Sequence, residues 1–263
     1  MAAKAIAAKL TVGAGDTARE IAVATRAGAA PGLFWLGGYR SDMTGTKALA
    51  LDAYAATRGL AMTRFDYSGH GASGGRFEDG TISRWLEESL AVFGRTSGPQ
   101  ILVGSSMGGW LALLLTEAHR NSVRPGNSRV AGLVLIAPAV DMTRELMWAE
   151  MDEKARQTLM TSGAWQKPSD YSDEPDIITR RLIEDGDLHL FGERLIETGC
   201  PVHIIQGLAD PDVPWRHATA LVSRFAADDV VLTLIKDGDH RLSRPGDIDK
   251  LIAAVEGLIA ETS

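Results

Sequence analysis

The chain has one cysteine, Cys200, among 263 residues. A lone cysteine excludes an internal disulfide framework and a cysteine-built zinc site, and it suits a reducing compartment. Positive charge is also short, with 27 Lys and Arg against 34 Asp and Glu, a net of −7. A nucleic-acid or anionic-membrane surface needs clustered cations, so neither partner is expected. No apolar run approaches the about 18 to 20 residues that span a bilayer. The longest candidate, Ala131 to Val140, is broken by Pro138 and reads as a buried strand. The first residues lack the hydrophobic block of a secretory signal. They also carry Asp16 and Glu20 soon after two lysines, unlike an Arg-rich transit peptide. A cytoplasmic location is therefore expected. There is no repeat and no low-complexity tract, and 45% apolar residues suffice for a substantial core.

What is present is an alternation of short apolar runs and helical patterns. Residues Gly32–Leu36, Gln100–Val103, Leu133–Ile136, Val202–Ile205 and Val230–Ile235 show no polar alternation. Strands buried on both faces read this way, as in a parallel sheet covered by helices. Helical periodicity falls near 45–58, 81–94, 107–120, 215–226 and 247–261. The segment Glu20–Ala27 alternates more cleanly and predicts an antiparallel edge strand. Strand–helix alternation of this kind predicts a doubly wound α/β sheet.

The rhythm stops once. Residues 141–199 contain no convincing strand, and their 14 acidic and 7 basic side chains carry the whole net charge. Four of the eight methionines also fall here. We read this stretch as a helical cap inserted in a core made of residues 1–140 and 200–263. Ligands in open α/β sheets sit at the carboxyl ends of the strands, where such a cap would roof them. Trp165, Met147 and Trp148 are its candidate substrate contacts, although packing between cap helices explains them equally well.

Gly104-Ser105-Ser106-Met107-Gly108 matches G-x-S-x-G between an apolar strand and a helix. That setting lifts a serine hydroxyl above a sheet at a helix N-terminus. A serine needs a base, and His240 follows the last apolar run in Lys236-Asp237-Gly238-Asp239-His240. Of the other histidines, His203 lies in a strand and His217 in a helix. An acid that orients the base should follow the preceding strand. Gly207-Leu208-Ala209-Asp210-Pro211-Asp212 offers Asp210 first and Asp212 as fallback, while Asp239 sits too near His240 in sequence. An oxyanion would rest on the Met107 N–H and, after Gly37-Gly38, the Tyr39 N–H. No metal or organic cofactor is called for.

Together these pieces resemble the α/β-hydrolase superfamily. Asp66-Tyr67-Ser68-Gly69-His70-Gly71-Ala72-Ser73 is similar to its D-x-x-G-x-G-x-S turn, whose role is structural. Gly38–Ala48, Arg64–Gly69, Gly98–Ser106, Trp165 with Pro168–Ser172, Cys200-Pro201 with Asp212–Trp215, and Asp239-His240-Arg241 are similar to its palmitoyl-protein thioesterase and acyl-glucuronide esterase branch. The resemblance implies acyl esters or thioesters as substrates, S-acylated protein among them. It assigns the nucleophile to Ser106, the acid to Asp210 and the base to His240. The same three residues also suit acyl transfer to another acceptor, and a non-catalytic binding protein on this fold is a separate reading.

Overall fold

The computed structural model describes residues 5–122, 128–167 and 175–262. Its main sheet has eight strands: β1 (Ile6–Val12), β2 (Arg19–Arg26), β3 (Ala29–Leu36), β4 (Leu60–Phe65), β5 (Gly98–Ser105), β6 (Ser128–Ile136), β9 (Val202–Gly207) and β10 (Val230–Ile235). Their order is β1-β2-β4-β3-β5-β6-β9-β10. The β1–β2 and β2–β4 pairs are antiparallel and every other pair is parallel.

Two helical layers cover the sheet, and the strands alternate between them residue by residue. In β3, Phe34 and Leu36 join one cluster with Trp85 of α2 (Ile82–Phe93), Trp110 and Leu111 of α3 (Met107–Arg120) and Leu221 of α6 (Trp215–Arg224). Leu33 and Trp35 face the other side, against Leu51 of α1 (Thr46–Arg58) and Leu251 and Val255 of α7 (Pro245–Thr262). Period-2 side-chain alternation with both faces covered is why these strands read as unbroken apolar runs.

Between β6 and β9 lie α4 (Glu153–Ser162), β7 (Ala164–Lys167), β8 (Asp176–Thr179) and α5 (Arg180–Gly186), preceded by a wide helical turn over Thr143–Trp148. Met151, Ala155, Leu159, Ile178 and Ile183 form a separate small core there, with Met147, Trp148 and Trp165 packed on it. Both ends of this segment meet at buried Asp141, whose carboxylate accepts the Phe191 and Gly192 N–H groups at 2.8 and 2.9 Å. The expectation of a strand-free insert is corrected: β7 and β8 pair antiparallel from Ala164–Thr179 to Lys167–Asp176. Four residues are too few to establish a period of two. The expected edge strand is also corrected. Arg19–Arg26 lies second in the sheet, and the Ala-rich, mostly exposed Ile6–Val12 lies outside it.

The Asp66–Ser73 turn ties three loops together. The buried Asp66 carboxylate accepts the Met43 N–H at 2.6 Å and the Ala72 N–H at 2.8 Å. Ser73 Oγ donates to the Asp66 carbonyl and accepts the Ala22 N–H. Gly71 has φ +46°, and a Cβ there would strike the Asp66 carboxylate. The Asp, the second Gly and the Ser of that motif are thus each accounted for by packing.

Candidate active site

Ser106 sits between the end of β5 and the start of α3 with φ 55° and ψ −119°, a conformation that a non-glycine residue holds only when its surroundings enforce it. They do so here. Gly104 and Gly108 press so closely that a Cβ on either would enter the neighbouring backbone, Gly108 against Gly104 and Leu36 against Gly108. The Ser106 N–H donates to the Ile136 carbonyl at 2.9 Å, and its carbonyl accepts from Gly109 and Ala139. The turn is fixed from both sides of the central strands, and the hydroxyl stands at the helix N-terminus.

His240, in the loop after β10, brings Nε2 within 3.1 Å of Ser106 Oγ. Its Nδ1 lies 2.8 Å from Asp210 Oδ2 in the loop after β9. With the Nδ1 proton donated to that carboxylate, Nε2 is left to accept from the serine hydroxyl. Asp210 is itself held: Oδ1 accepts the Asp212 and Val213 N–H groups at 2.9 Å each, and Oδ2 accepts from Gln206 Nε2 at 3.2 Å. The carboxylate is buried while His240 keeps 16% of its side chain exposed. An Asp212 oxygen lies within 4.8 Å of the Asp210–His240 ligand atoms, and these three form the one cluster with metal-ligand spacing among the described residues. Asp210 is already bonded to two backbone N–H groups, an amide and a ring N–H, a set that suits an acid orienting a base.

The loop after β3 passes against Ser106: a Cβ on Gly38 would lie 3.3 Å from Ser106 Cβ. Met107 opens α3, so its N–H has no carbonyl to bond within the helix. The Tyr39 N–H has no backbone acceptor among the described residues. Two residues given no catalytic part in the sequence, His70 and Lys47, hold this region. His70 is buried and accepts the Arg40 N–H on Nε2 at 3.2 Å, while its Nδ1 faces the Ser68 carbonyl at 3.2 Å. Accepting on Nε2 requires the neutral ring, and burial pushes its pKa down to about 4. Lys47 of α1 donates to the Arg241 carbonyl and to Ser243 Oγ, bracing the His240 loop. Burial lowers its pKa to about 8. The Gly-His-Gly context marked His70; Lys47 lay within the Gly38–Ala48 stretch of the resemblance, with no sign of its part.

A cavity of about 630 Å³ opens above Ser106 and His240. Its lining is apolar at Ala139, Met142, Leu146, Met147, Ile178 and Val213 and charged or polar at Arg40, Asp42, Lys47, Glu150, Lys167 and Arg241. Tyr39 and Met147 are among the residues that line it. Trp148 and Trp165 do not line it: their rings pack on the small core of the segment they belong to, and Arg144 and Arg156 flank the Trp148 ring. Pro168–Ser172 lies outside the described residues.

The sequence model of the alpha/beta hydrolase family matches residues 27–250. The chain belongs to the α/β hydrolase family. Among curated relatives, palmitoyl-protein thioesterase ABHD10, mitochondrial, of Bos taurus is 35% identical over 238 residues, 90% of this chain and 75% of that protein. Its Homo sapiens counterpart is 34% identical over the same shares. Of solved α/β hydrolases and their relatives, a structure from Agrobacterium vitis S4 superposes with TM-score 0.93 at 53% identity, covering 97% of this chain and 99% of that one. Mouse alpha/beta hydrolase domain-containing protein 10 superposes with TM-score 0.86 at 31% identity, covering 97% and 100%. These relatives correct the expected cytoplasmic location, because the curated ones are named as mitochondrial proteins. Among the described residues no helix of this α/β hydrolase is long and apolar enough to cross a membrane.

Proposed function

We propose that this α/β hydrolase cleaves acyl thioesters and esters through Ser106, His240 and Asp210. The observation that carries the reading is the single imidazole bridging Ser106 Oγ at 3.1 Å and the Asp210 carboxylate at 2.8 Å. Ser106 Oγ attacks the acyl carbonyl carbon while His240 Nε2 takes its proton. The carbonyl oxygen becomes an oxyanion, accepted by the Met107 and Tyr39 N–H groups and by the positive end of α3. Asp210 holds the ring in the required tautomer and stabilises the imidazolium. The intermediate collapses as His240 gives the proton to the departing sulfur or oxygen, leaving an ester on Ser106. Water, deprotonated by His240, then attacks that ester, and Ser106 leaves with the proton restored.

Sulfur needs less help than oxygen as a leaving group, so the site suits thioesters at least as well as esters. The apolar lining at Leu146, Met147 and Ile178 suits an acyl chain, with methionine able to adapt to its shape. The names of the ABHD10 relatives support palmitoyl-type thioesters, including S-acylated protein. We assign residues 141–199 the part of a cap over this cavity.

The test is hydrolysis of matched acyl thioesters and oxygen esters from two to sixteen carbons, with Ser106→Ala beside the wild type. Turnover that favours long thioesters and disappears in the variant is the expected result. Short oxygen esters alone as substrates would reduce the reading to a general esterase, and equal turnover by the variant would remove it.

A further inference from the structure

The loop from Gly38 to Arg40 is closed by one turn bond, from the Ser41 N–H to the Gly38 carbonyl at 3.2 Å. Two glycines precede Tyr39, and Arg40 has φ 55°, a conformation that costs free energy wherever it is not enforced. Its backbone is tied to the core by the Arg40 N–H on His70 Nε2. Its side chains also reach the start of β8. The Tyr39 phenol donates to the Ile177 carbonyl at 2.7 Å. Arg40 Nη1 donates to the Pro175 carbonyl at 2.8 Å, and Arg40 Nε lies 3.4 Å from Asp176 Oδ1. Pro175, Asp176 and Ile177 are consecutive, at the start of β8. The next residue, Ile178, lines the cavity. One short strand therefore touches the space above Ser106 and also holds the loop that passes against it.

The Tyr39 ring is clamped at its other edges. It meets Phe77 edge-on at 4.9 Å and Trp85 at 6.0 Å between ring centres. The Arg40 guanidinium lies over the Phe77 ring at 5.4 Å. A displacement of β8 thus has a stiff path to the Tyr39 backbone: carbonyl, phenol, ring, Cα. Rigid aromatic contacts and charge-assisted bonds transmit small displacements that a flexible side chain would absorb.

We propose that Tyr39 and Arg40 are positioning residues through which the β8 strand sets the Tyr39 N–H for the oxyanion, so that filling the cavity beneath Ile178 raises kcat. This rests on the hydrolase reading above. Binding energy from a remote part of a substrate accelerates chemistry only when it improves transition-state contacts. An acyl chain packed against Ile178 seats β8, and β8 seats the donor. A merely structural role for the phenol would lower stability and leave the dependence of kcat on chain length untouched.

Tyr39→Phe tests this, because it keeps the backbone N–H and the ring and removes only the bond to Ile177. The readouts are kcat and KM for acetyl, butanoyl and octanoyl thioesters, with Arg40→Gln as a second variant and melting temperature as the folding control. Fluorophosphonate labelling of the wild type reports whether Ser106 is reactive at all. The wild type is expected to show kcat rising from acetyl to octanoyl. In Tyr39→Phe that rise flattens, with about a tenfold loss of kcat on octanoyl thioester and KM within about twofold, since a weakened donor loses part of the 10²–10³ that a whole one supplies. Wild-type kcat and its rise retained in both variants, or a loss confined to KM, would overturn the coupling while leaving the hydrolase reading intact. A wild type that neither labels nor turns over would overturn both.

Discussion

Asp210 and His240 stand 30 residues apart in the chain, and the loops after β9 and β10 bring the Asp210 carboxylate to 2.8 Å from the His240 ring. The register explains it. Strands β9 and β10 pair in parallel from Val202–Val230 to Gly207–Ile235, so their following loops leave the sheet side by side. Ser106 leaves β5 at the same end, two strands away.

That geometry distinguishes two neighbouring carboxylates. On the proposed mechanism Asp210→Asn should lower kcat by about 10⁴, as loss of the orienting acid does in serine triads. Asp212→Asn should cost less than about tenfold, because Asp212 contributes its backbone N–H to Asp210 and that group survives the substitution. Steady-state hydrolysis of one acyl thioester by the two variants decides the order.

Buried neutral His70 makes stability depend on pH. Its pKa falls from 6.5 in the unfolded chain to about 4 in the fold, so the unfolded chain binds the extra proton between those values. Stability is therefore full above about pH 6.5 and declines as the pH falls toward 4, by about 2 to 3 kcal/mol between pH 7.5 and 4.5 from this group. His203 and His217, whose pKa values burial also lowers, act in the same direction. Urea unfolding at the two pH values should show a smaller decline in His70→Gln. An unchanged decline would mean that His70 is not the group responsible.

Glycines at the turn and on the surface should respond in opposite ways to alanine. Gly108→Ala drives a Cβ into the Leu36 carbonyl and should cost about 3 kcal/mol or more, or prevent folding. Gly257→Ala, exposed on α7 with open space around it, should stabilise by about 0.5–1 kcal/mol. Denaturant midpoints of the two variants check this.

The cavity wall and the small core beside it should separate by phenotype. Met147→Ala and Leu146→Ala remove wall atoms and should shift the preferred acyl length upward or flatten it. Trp148→Ala, at a ring flanked by Arg144 and Arg156 and absent from the cavity lining, should lower the melting temperature and leave the length profile alone, whereas Trp165→Ala, opposite Ile178 in the β7–β8 pair, should disturb both. Rates across a chain-length series, read beside melting curves, separate the two outcomes.

Much of this was legible in the sequence for one physical reason. A buried parallel strand followed by a tight turn leaves a dense local signal, and Ile101–Gly108 carries all of it: an apolar run, glycines where no Cβ fits, and a helix start. Strands β3, β5, β6, β9 and β10 and five of the helices read equally well, but β4, Leu60–Phe65, broken by Thr63 and Arg64, did not. What escaped lay where local signals are weak. Strand β1 is exposed along most of its length, β7 and β8 are four residues each, and Lys47 acts through a loop nearly 200 residues away. The tryptophans stayed open between two readings because a large apolar ring suits a core and a cavity alike, and only packing tells them apart. The link from Tyr39 to Ile177 spans 138 positions and has no sequence signature at all.

The most direct test of the account is the mass of the protein during turnover of an octanoyl thioester, trapped by acid and mapped by peptide. The account predicts one octanoyl group on the peptide containing Ser106, absent from Ser106→Ala, with hydrolysis lost in the same variant. Octanoyl on another residue, or undiminished hydrolysis by Ser106→Ala, would contradict it.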